Sequence, residues 1–594
     1  MSKDSSTGLM AKKENKKEVM SGADIFVKSL EAEGVDTIFG YIGAKVITIY
    51  DRLYDSKIRH IMPHHEQGGV HAADGYARSS GKTGVCIATS GPGAANMVTA
   101  LATAHMDSVP LVAFTGQVPY SMIGTDGFQE ADIKGITMPI TKNNYIVNDL
   151  SDLAVTIKEA FYIASTGRPG PVLVDIPSNI LTDQAEFEYP DQVYLPGYNP
   201  TYKGNKMQIK RAAELINNSK KPIIYAGGGA VISGADKEIT ALAEKAEIPV
   251  TTTLNGIGSF DENNYLSLGM LGMHGNTEAN LAITNSDLII ALGARFDDRV
   301  TGKVDTFAKN AKVIHVDIDP AEIGKIIETQ VPITADVKSV LEDLLPMINE
   351  ASRPIWLAEI EEWRKIDDKS DPDQSEKLLP IEIIQTLYEL TQGEAIITAG
   401  VGQHQMWAAQ YYKYSRPRSF ISSGGLGTMG YGFPAAIGAK AANPDRDVFT
   451  LTGDGSFQMN IQELATAAKN KIPVKIIIFN NQYLGMVRQW QELFYDKRYS
   501  ATCLRRQKDC PPQCSGPNKN CPEIIPDFVQ VAKGYGIKGE TITERKNIKS
   551  ALERAIESEA TYLLNFIIEE EENVFPMVSA GGSLEDMLLR KGQK

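Results

Sequence analysis

The chain has 594 residues, of which 42% are hydrophobic and 23% charged, and its formal net charge is -14. This length indicates about three domains, and no apolar run is long enough to span a bilayer. The acidic balance and the lack of a basic stripe argue against nucleic acid as a partner. The polar start has no apolar signal segment, so we expect a disordered tail over residues 1–20 and a cytoplasmic protein without a membrane partner.

Residues 21–188 alternate helical patterns with short apolar strands, which is typical of a parallel α/β sheet. Glu66 lies in the sequence HEQG, before a helix that we expect to begin near Val70. Taken alone, it is by default a solvated first-turn residue favoured by the helix dipole. Phe128 and Gln129 lie in a loop that follows a buried strand, where ligands commonly bind, although Phe128 packed in a core is the alternative.

A Pro- and Tyr-rich connector at residues 189–205 marks a domain boundary. A second α/β domain is expected over residues 206–350, where a glycine triplet at 227–229 lets backbone amides approach an anionic group. A charged stretch then marks a second linker. The third domain is expected over residues 378–571, followed by a C-terminal tail at 572–594.

Two turns in the third domain form the strongest motif. One buried strand is followed by Asp454 within the sequence GDGS, and the next ends at Asn480 and Asn481. Parallel strands would place this carboxylate and carboxamide at the same end of a sheet. Few hard oxygen ligands, with room for phosphate oxygens, suit Mg²⁺ better than zinc or copper. Ordinary strand-end turns are the alternative, since both dipeptides are common in turns.

The GDG sequence and the Asn pair, with twenty-four residues between Gly455 and Asn480, together resemble the diphosphate and metal motif of thiamine-diphosphate enzymes. The resemblance implies three doubly wound parallel-sheet domains: pyrimidine-binding, central FAD-associated and diphosphate-binding. It implies Mg²⁺ ligation by the Asp454 and Asn481 side chains and the Tyr483 carbonyl. It also assigns Glu66 to proton transfer at N1′ of the aminopyrimidine ring.

Nearly the whole chain from about residue 21 to 589 resembles one subfamily, the acetohydroxyacid synthases, through segments such as GTDGFQE, FDDRV and GMVRQWQELFY. The resemblance implies catalytic roles for Glu66, Gln129 and Met429, and places Phe128, Gln129 and Trp490 at the substrate. Met429 is the bulky residue that bends the bound cofactor. An amphipathic helix burying Met486, Trp490 and Leu493 is compatible with that role for Trp490.

The same resemblance implies two sets of cofactor-binding residues. Those for thiamine diphosphate are Val401, Gly402, Gln403, His404, Gly427, Met429, Gly453, Asp454, Gly455, Ser456, Asn481, Tyr483, Leu484, Gly485 and Met486. Those for FAD are Arg168, Gly227, Gly228, Gly229, Thr253, Leu254, Leu271, Gly272, Met273, His274, Gly293, Ala294, Arg295, Asp297, Arg299, Asp317, Ile318, Asp336 and Val337.

The activity implied is that of a transferase that decarboxylates pyruvate on thiamine diphosphate and joins the two-carbon unit to a second 2-keto acid, pyruvate or 2-ketobutyrate. This is the first common step of branched-chain amino acid biosynthesis. A homodimer or homotetramer is implied, and a separate small regulatory subunit is compatible with the chain. The alternatives are another thiamine-diphosphate decarboxylase or carboligase, and a noncatalytic paralogue.

Three features depart from the family pattern. The usual Tyr-Pro-Gly-Gly-Ala ends here in Ala44 and Lys45, and Ser178 stands where a lysine usually follows Asp-Leu-Pro. These two changes bear on substrate specificity more than on fold or cofactors.

The third departure is a Cys-rich loop at residues 503–521, whose cysteines are Cys503, Cys510, Cys514 and Cys521. Four thiols can hold zinc, ligate an iron-sulfur cluster, form disulfides or stay free. Because the loop follows the segment expected to close over the site, we expect a stabilising or redox-sensitive lid.

Overall fold

A computed structural model describes residues 18–366 and 377–590, apart from residues 512, 515 and 519. Most of the expected N-terminal tail and of the second linker lie outside the described residues. The described chain forms three α/β domains, each built on a six-stranded sheet whose paired strands are parallel, which confirms the predicted fold class. No helix within these ranges is long and apolar enough to cross a membrane.

The first domain has the sheet order β3-β2-β4-β5-β7-β6. Its central strands are buried throughout because helices cover both faces. Its elements are β1 (Val19–Ser21), α1 (Gly22–Ala32), β2 (Thr37–Gly40), α2 (Ile47–Leu53), β3 (Arg59–Ile61), α3 (Glu66–Ser80), β4 (Gly84–Ala88), α4 (Pro92–Asn96), α5 (Val98–Met106), β5 (Leu111–Gln117), α6 (Ile133–Thr137), β6 (Asn143–Ile146), α7 (Leu153–Ser165), β7 (Pro171–Pro177), α8 (Ser178–Thr182) and β8 (Gln184–Glu186).

Two expectations for this domain were wrong. Val19 and Met20, assigned to a disordered tail, belong to β1, which pairs antiparallel with β8. The helix expected near Val70 begins at Glu66, because the His65 ring accepts a hydrogen bond from the Gln67 N–H and caps the helix earlier.

The central domain has the sheet order β11-β10-β9-β12-β13-β14. Trp356 of its last helix is buried against the sheet and donates a 3.1 Å hydrogen bond to the Pro222 carbonyl. Its elements are α9 (Lys206–Asn218), β9 (Pro222–Ala226), α10 (Gly228–Ser233), α11 (Asp236–Ala246), β10 (Val250–Thr252), β11 (Ser267–Met270), α12 (Thr277–Asn285), β12 (Leu288–Leu292), α13 (Asp298–Thr301), β13 (Lys312–Asp317), β14 (Val331–Thr334), α14 (Val337–Leu344) and α15 (Pro354–Arg364).

The third domain has the order β16-β15-β17-β18-β20-β19, and a short antiparallel hairpin follows it. That hairpin folds back on the central domain, where the Val578 N–H donates to the Met273 carbonyl at 2.8 Å. The elements are α16 (Pro380–Thr391), β15 (Ile396–Ala399), α17 (Gln403–Tyr411), β16 (Phe420–Ser422), α18 (Gly432–Ala442), β17 (Val448–Gly453), α19 (Asp454–Gln458), α20 (Glu463–Lys469), β18 (Lys475–Asn480), α21 (Gly485–Phe494), α22 (Phe528–Gly534), β19 (Lys538–Ile542), α23 (Ile548–Glu557), β20 (Tyr562–Ile567), β21 (Met577–Val578) and β22 (Met587–Leu588).

A buried ionic network joins the three domains. Arg78 Nε lies 2.8 Å from Asp74 Oδ1, and Arg78 Nη2 lies 2.6 Å from Asp107 Oδ2. Asp107 Oδ1 also accepts hydrogen bonds from Asn255 Nδ2 of the central domain, at 2.9 Å, and from the Gly425 N–H of the third, at 2.7 Å. Both carboxylate side chains are inaccessible to solvent. Since each buried charge needs its partner, this network ties the domains to one arrangement.

Candidate active site

The Asp454 and Asn481 turns lie side by side at one edge of the third sheet. β17 and β18 are neighbouring parallel strands, and each residue directly follows its strand. Gln403, the first residue of α17 after the adjacent β15, accepts a 3.2 Å hydrogen bond from Asn481 Nδ2 at its Oε1. The expected meeting of carboxylate and carboxamide at one end of the sheet is confirmed.

Asp454 is buried, and within the described ranges no cation pairs with its carboxylate. Burial raises its pKa to about 7, although the Gly455 and Gln482 N–H groups hydrogen-bond the charged form. Gln482 adopts the left-handed region at φ 60°, and its Nε2 lies 3.5 Å from Asp454 Oδ2. A bound divalent cation would offset the cost of burying this charge, so the oxygen-rich donor set fits Mg²⁺.

Glycines allow the side chains of this edge to pack closely. A Cβ on Gly485 would lie 2.1 Å from Gln403 Oε1 and 2.7 Å from Asn481 Nδ2. A Cβ on Gly453 would lie 2.9 Å from His404 Nδ1. Any larger residue at either glycine would displace the groups beside Asn481 or His404.

His404 packs beside these turns as a neutral, buried imidazole. Burial lowers its pKa to about 3, although the Gly400 backbone opposes the shift, and its Nε2 makes no hydrogen bond of ordinary geometry in the part of the chain that the structure describes. A Cβ on Gly400, at the end of β15, would lie 3.0 Å from this Nε2. An orphaned ring nitrogen at a sheet edge fits a phosphate oxygen as its missing partner.

The segment before α18 lies against the same turn. The Met429 methyl lies 3.8 Å from the position that a Cβ on Gly455 would take. The N–H of the next residue donates to Ser456 Oγ at 3.0 Å, and Val401 lies 3.9 Å from the position that a Cβ on Gly427 would take. Leu484 also touches this turn, 2.7 Å from the same Gly455 position. Met429 therefore stands where a group bound at the turn would contact it.

Glu66 is the first residue of α3 and is half-buried. Its Oε2 accepts a 2.9 Å hydrogen bond from Asn96 Nδ2, and its Oε1 lies 3.2 Å from the position that a Cβ on Gly93 would take. Asn96 is a contact that no sequence motif indicated. The Asn96 amide holds one carboxylate oxygen of Glu66, and the other oxygen lies beside Gly93, which has no side chain.

The two expected substrate residues of the first domain lie in an exposed loop. Phe128 is 84% exposed, so the alternative of a core residue is wrong. Gln129 has φ 61°, and its carbonyl oxygen lies 2.8 Å from the position that a Cβ on Gly91 would take. The loop therefore lies at the β4 end of the sheet. Gly93, which also follows β4, lies beside Glu66 at the same edge.

Comparison with known proteins agrees with this geometry. The family models described as the N-terminal TPP binding, central and C-terminal TPP binding domains of thiamine pyrophosphate enzymes match residues 20–136, 209–344 and 400–566. The acetolactate synthase large subunit of Corynebacterium glutamicum is 48% identical over 580 residues, covering 96% of this chain and 90% of that protein. A probable acetolactate synthase large subunit of Methanocaldococcus jannaschii is 47% identical over 581 residues, covering 96% and 95%.

A third relative, the chloroplastic acetolactate synthase 3 of Brassica napus, is 46% identical over 580 residues, covering 96% of this chain and 87% of that protein. This chain belongs to the acetolactate synthase family of thiamine pyrophosphate enzymes. Membership of the acetolactate synthases makes the chain an enzyme of the transferase class, as the sequence motifs indicated.

Helix α21 of this acetolactate synthase family member is buried on its polar side. Met486, Trp490 and Leu493, which the alternative of an amphipathic helix would bury, are each only partly covered. Arg488 and Gln489 are the buried residues. Hydrophobic periodicity missed this arrangement because it assigns the inner face to apolar residues.

Polar contacts explain the inverted orientation of α21. Arg488 pairs with Glu492 at 2.9 Å and hydrogen-bonds Asn573. Gln489 accepts from Gln403 Nε2 at 2.9 Å and donates to the Val574 carbonyl at 2.9 Å. The apolar side of α21 instead lines a pocket of about 560 Å³, together with residues up to Ser500.

The residues expected at FAD form a close-packed edge of the central sheet. The Gly227 and Gly229 N–H groups donate to the Leu292 and Gly293 carbonyls at 2.9 and 3.0 Å. The expectation that these two amides face an anion was therefore wrong. Glycine is needed here because Cβ atoms on both would lie within 2.7 Å of the Gly293–Ala294 backbone.

Other expected FAD residues hold loops through local bonds. Arg168 pairs with Asp319 at 3.1 Å and with Glu322 at 2.8 Å. Met273 N–H donates to the Arg299 carbonyl at 2.7 Å beside Gly272. The remaining ones cap turns or end strands nearby. Three of them accept a backbone N–H in a turn: Asp297 from Arg299, Asp317 from Asp319, and Thr253 from Gly256. Asp336 caps α14 before Val337, the partly buried Leu254 follows Thr253, Leu271 and His274 are buried around Gly272, and Ile318 follows β13.

Arg295 extends from this edge to the third domain, where its Nη2 lies 3.3 Å from the position of a Cβ on Gly425. This guanidinium therefore stands between the central domain and the segment that leads to Met429. Gly228, unlike its neighbours in the triplet, would place its Cβ beside Asn255, at 3.2 Å.

The Cys-rich loop gives no support to a metal site or to disulfides. All five cysteines are free, and among the residues with described positions no three His, Cys, Asp or Glu side chains gather as a metal site would require. Cys510 and Cys521 each accept a local backbone N–H, at 3.4 and 3.3 Å. The loop is anchored by backbone pairing of Cys503 with Tyr483. The loop thus begins in contact with the segment that follows Asn481.

Proposed function

We propose that this chain catalyses formation of 2-acetolactate, or of 2-aceto-2-hydroxybutyrate, from pyruvate and a second 2-keto acid. Thiamine diphosphate, when bound, supplies the carbanion chemistry that removes CO₂ and forms the new carbon–carbon bond. The observation that carries the proposal is the edge of the third sheet, where three groups meet: a buried carboxylate with no counter-ion among the described residues, a carboxamide, and an imidazole whose Nε2 has no hydrogen-bond partner among them. Family membership supports the same reaction.

Asp454, Asn481 and the Tyr483 carbonyl would hold Mg²⁺ there. His404 would donate from its neutral ring to a phosphate oxygen. Met429 would contact the bound cofactor, since its methyl lies 3.8 Å from the position that a Cβ on Gly455 would take. These residues bind and orient, and none of them needs to act as a nucleophile.

Glu66 would give and take a proton at N1′ of the aminopyrimidine. Its fixed oxygen, held by Asn96 at 2.9 Å, orients the carboxylate, while the second oxygen stays beside Gly93. FAD would bind near the Gly272 and Arg295 edge of the central domain as a structural group. Trp490 and Phe128 would border the acceptor pocket.

A second copy of the chain would cover the carboxyl edge of the first sheet. Large apolar side chains are exposed on loops at this edge, including Ile42 at 41%, Met122 at 41% and Phe128 at 84%. Exposed apolar clusters of this kind mark protein interfaces. A homodimer, or a homotetramer built from it, is the proposed assembly, and a small regulatory subunit is compatible with it.

A product assay tests the proposal. Purified protein with pyruvate, thiamine diphosphate and Mg²⁺, with and without FAD, should yield acetolactate and little acetaldehyde. Glu66→Gln should lower kcat by about 10²- to 10⁴-fold with an unchanged circular dichroism spectrum, whereas the exposed Glu214→Gln should not. Acetaldehyde as the main product would instead favour a decarboxylase, and full activity of Glu66→Gln would remove that residue from its role.

A further inference from the structure

Lys45 is a cation without an acidic partner at the carboxyl edge of the first sheet. It follows β2, is half-buried, and forms no ion pair with any carboxylate of the described residues. Its N–H donates to Thr89 Oγ1 at 3.3 Å, which fixes its backbone beside the end of β4. A half-buried lysine with no carboxylate partner among the described residues is available to bind an anion.

Thr89 and Gly93 lie between the Lys45 backbone and Glu66 in space. Thr89, which accepts from the Lys45 N–H, has its methyl 2.8 Å from the position of a Cβ on Gly93. Glu66 Oε1 lies 3.2 Å from the same position. The Lys45 backbone therefore lies beside the place where Glu66 would meet the cofactor, on the side formed by the β2 and β4 loops.

The Lys45 side chain begins near the end of β7, which Ser178 directly follows. A Cβ on Gly116 would lie 2.9 Å from Lys45 Cβ, and Gly116 pairs in register with Ile176 on β7. Ser178 follows β7 directly and is the first residue of α8. The helices α2 and α8, which begin just after Lys45 and at Ser178, contact each other there.

We propose that Lys45 binds the carboxylate of the 2-keto acid substrate. The inference rests on the proposed function for the identity of the ligand. In this chain the positive charge is provided from the β2 loop, while position 178, where the family pattern carries a lysine, is a serine. Because α2 and α8 contact each other, a cation at position 178 is expected to reach the same anion, so one can replace the other. The interaction is an ion pair, with no covalent step.

Steady-state kinetics on the cofactor-loaded full chain test this. Lys45→Ala should raise the KM for pyruvate about tenfold with little change in kcat, because a charge-assisted hydrogen bond contributes about that much binding. Lys45→Arg should keep KM within about threefold. The double variant Lys45→Ala with Ser178→Lys should recover most of the lost affinity. Lys57→Ala, an exposed lysine of the same domain, is the matched control.

A binding measurement keeps the test independent of turnover. Calorimetric titration of oxamate, an unreactive isostere of pyruvate, should show the same tenfold loss in Lys45→Ala and the same recovery in the double variant. Equal oxamate affinity in wild-type and Lys45→Ala protein overturns the inference, as does a loss that Ser178→Lys fails to reverse. Absence of acetolactate from the wild-type chain would refute the proposed function instead, and the oxamate result would still decide the role of Lys45.

Discussion

Replacing Arg78 by methionine should destabilise the protein strongly, because it leaves two buried carboxylates without their cation. The Asp74 and Asp107 side chains are both inaccessible to solvent, at 2.8 and 2.6 Å from the Arg78 guanidinium. Removing one partner of a buried ion pair costs about 3–5 kcal/mol. For a domain of 150 to 250 residues this corresponds to a fall in Tm of about 6–20 °C.

The matched control is Lys82→Met, close to Arg78 in the same domain. Lys82 pairs with Asp36 at 2.5 Å, but the two side chains are 58% and 51% exposed. An exposed pair of this kind contributes less than about 1 kcal/mol. Thermal and urea unfolding, followed by circular dichroism, should therefore separate the two variants clearly.

The pH dependence gives a second readout for Arg78→Met. Burial raises the pKa of Asp74, and Arg78 opposes that rise. Without Arg78 the carboxyl is protonated more readily, so the deficit in stability should shrink as the pH is lowered. If Arg78→Met unfolds like Lys82→Met at every pH, the network does not hold the domains together and the reasoning fails.

Three further results are expected. Asp454→Asn should weaken Mg²⁺-dependent binding of thiamine diphosphate at least tenfold in a fluorescence titration while Tm is kept or raised, because the buried charge is removed; unchanged binding would reject the metal site. Burial raises the pKa of Glu463 to about 7 from its ordinary 4.5, so its contribution to the free energy of unfolding is complete below pH 4.5. About 3 kcal/mol of that contribution is lost as the pH rises through 7. Glu463→Gln should therefore flatten the dependence of Tm on pH between about pH 5 and 9, and a persisting slope would contradict this. Gly485→Ala should displace Gln403 or Asn481 and lower cofactor affinity with little effect on Tm, and wild-type affinity would show that the edge can relax.

The sequence predicted the features that depend on strand ends. Asp454 and Asn481 could be paired because apolar strands precede both, and parallel strands end at one edge of a sheet. The start of α3 at Glu66 was missed by about one turn, because a histidine ring provides the cap in place of a usual N-cap residue.

Features that depend on distant partners could not be predicted in this way. The burial of Arg488 requires acceptors some eighty residues away, such as Asn573. The hydrogen bond from the Gly227 N–H to the Leu292 carbonyl depends on strand order, which no local pattern contains. The Asn96 amide on Glu66 depends on a helix that follows the next strand, β4.

The orientation of α21 separates the residues that fasten the helix from those that border the pocket. Arg488 and Gln489 hold it through polar contacts, while Val487, which lines the pocket, is 51% exposed. Substitutions on the outer side therefore change pocket shape with little effect on folding. Under the proposed function, such a helix lets the acceptor pocket change while the scaffold stays folded.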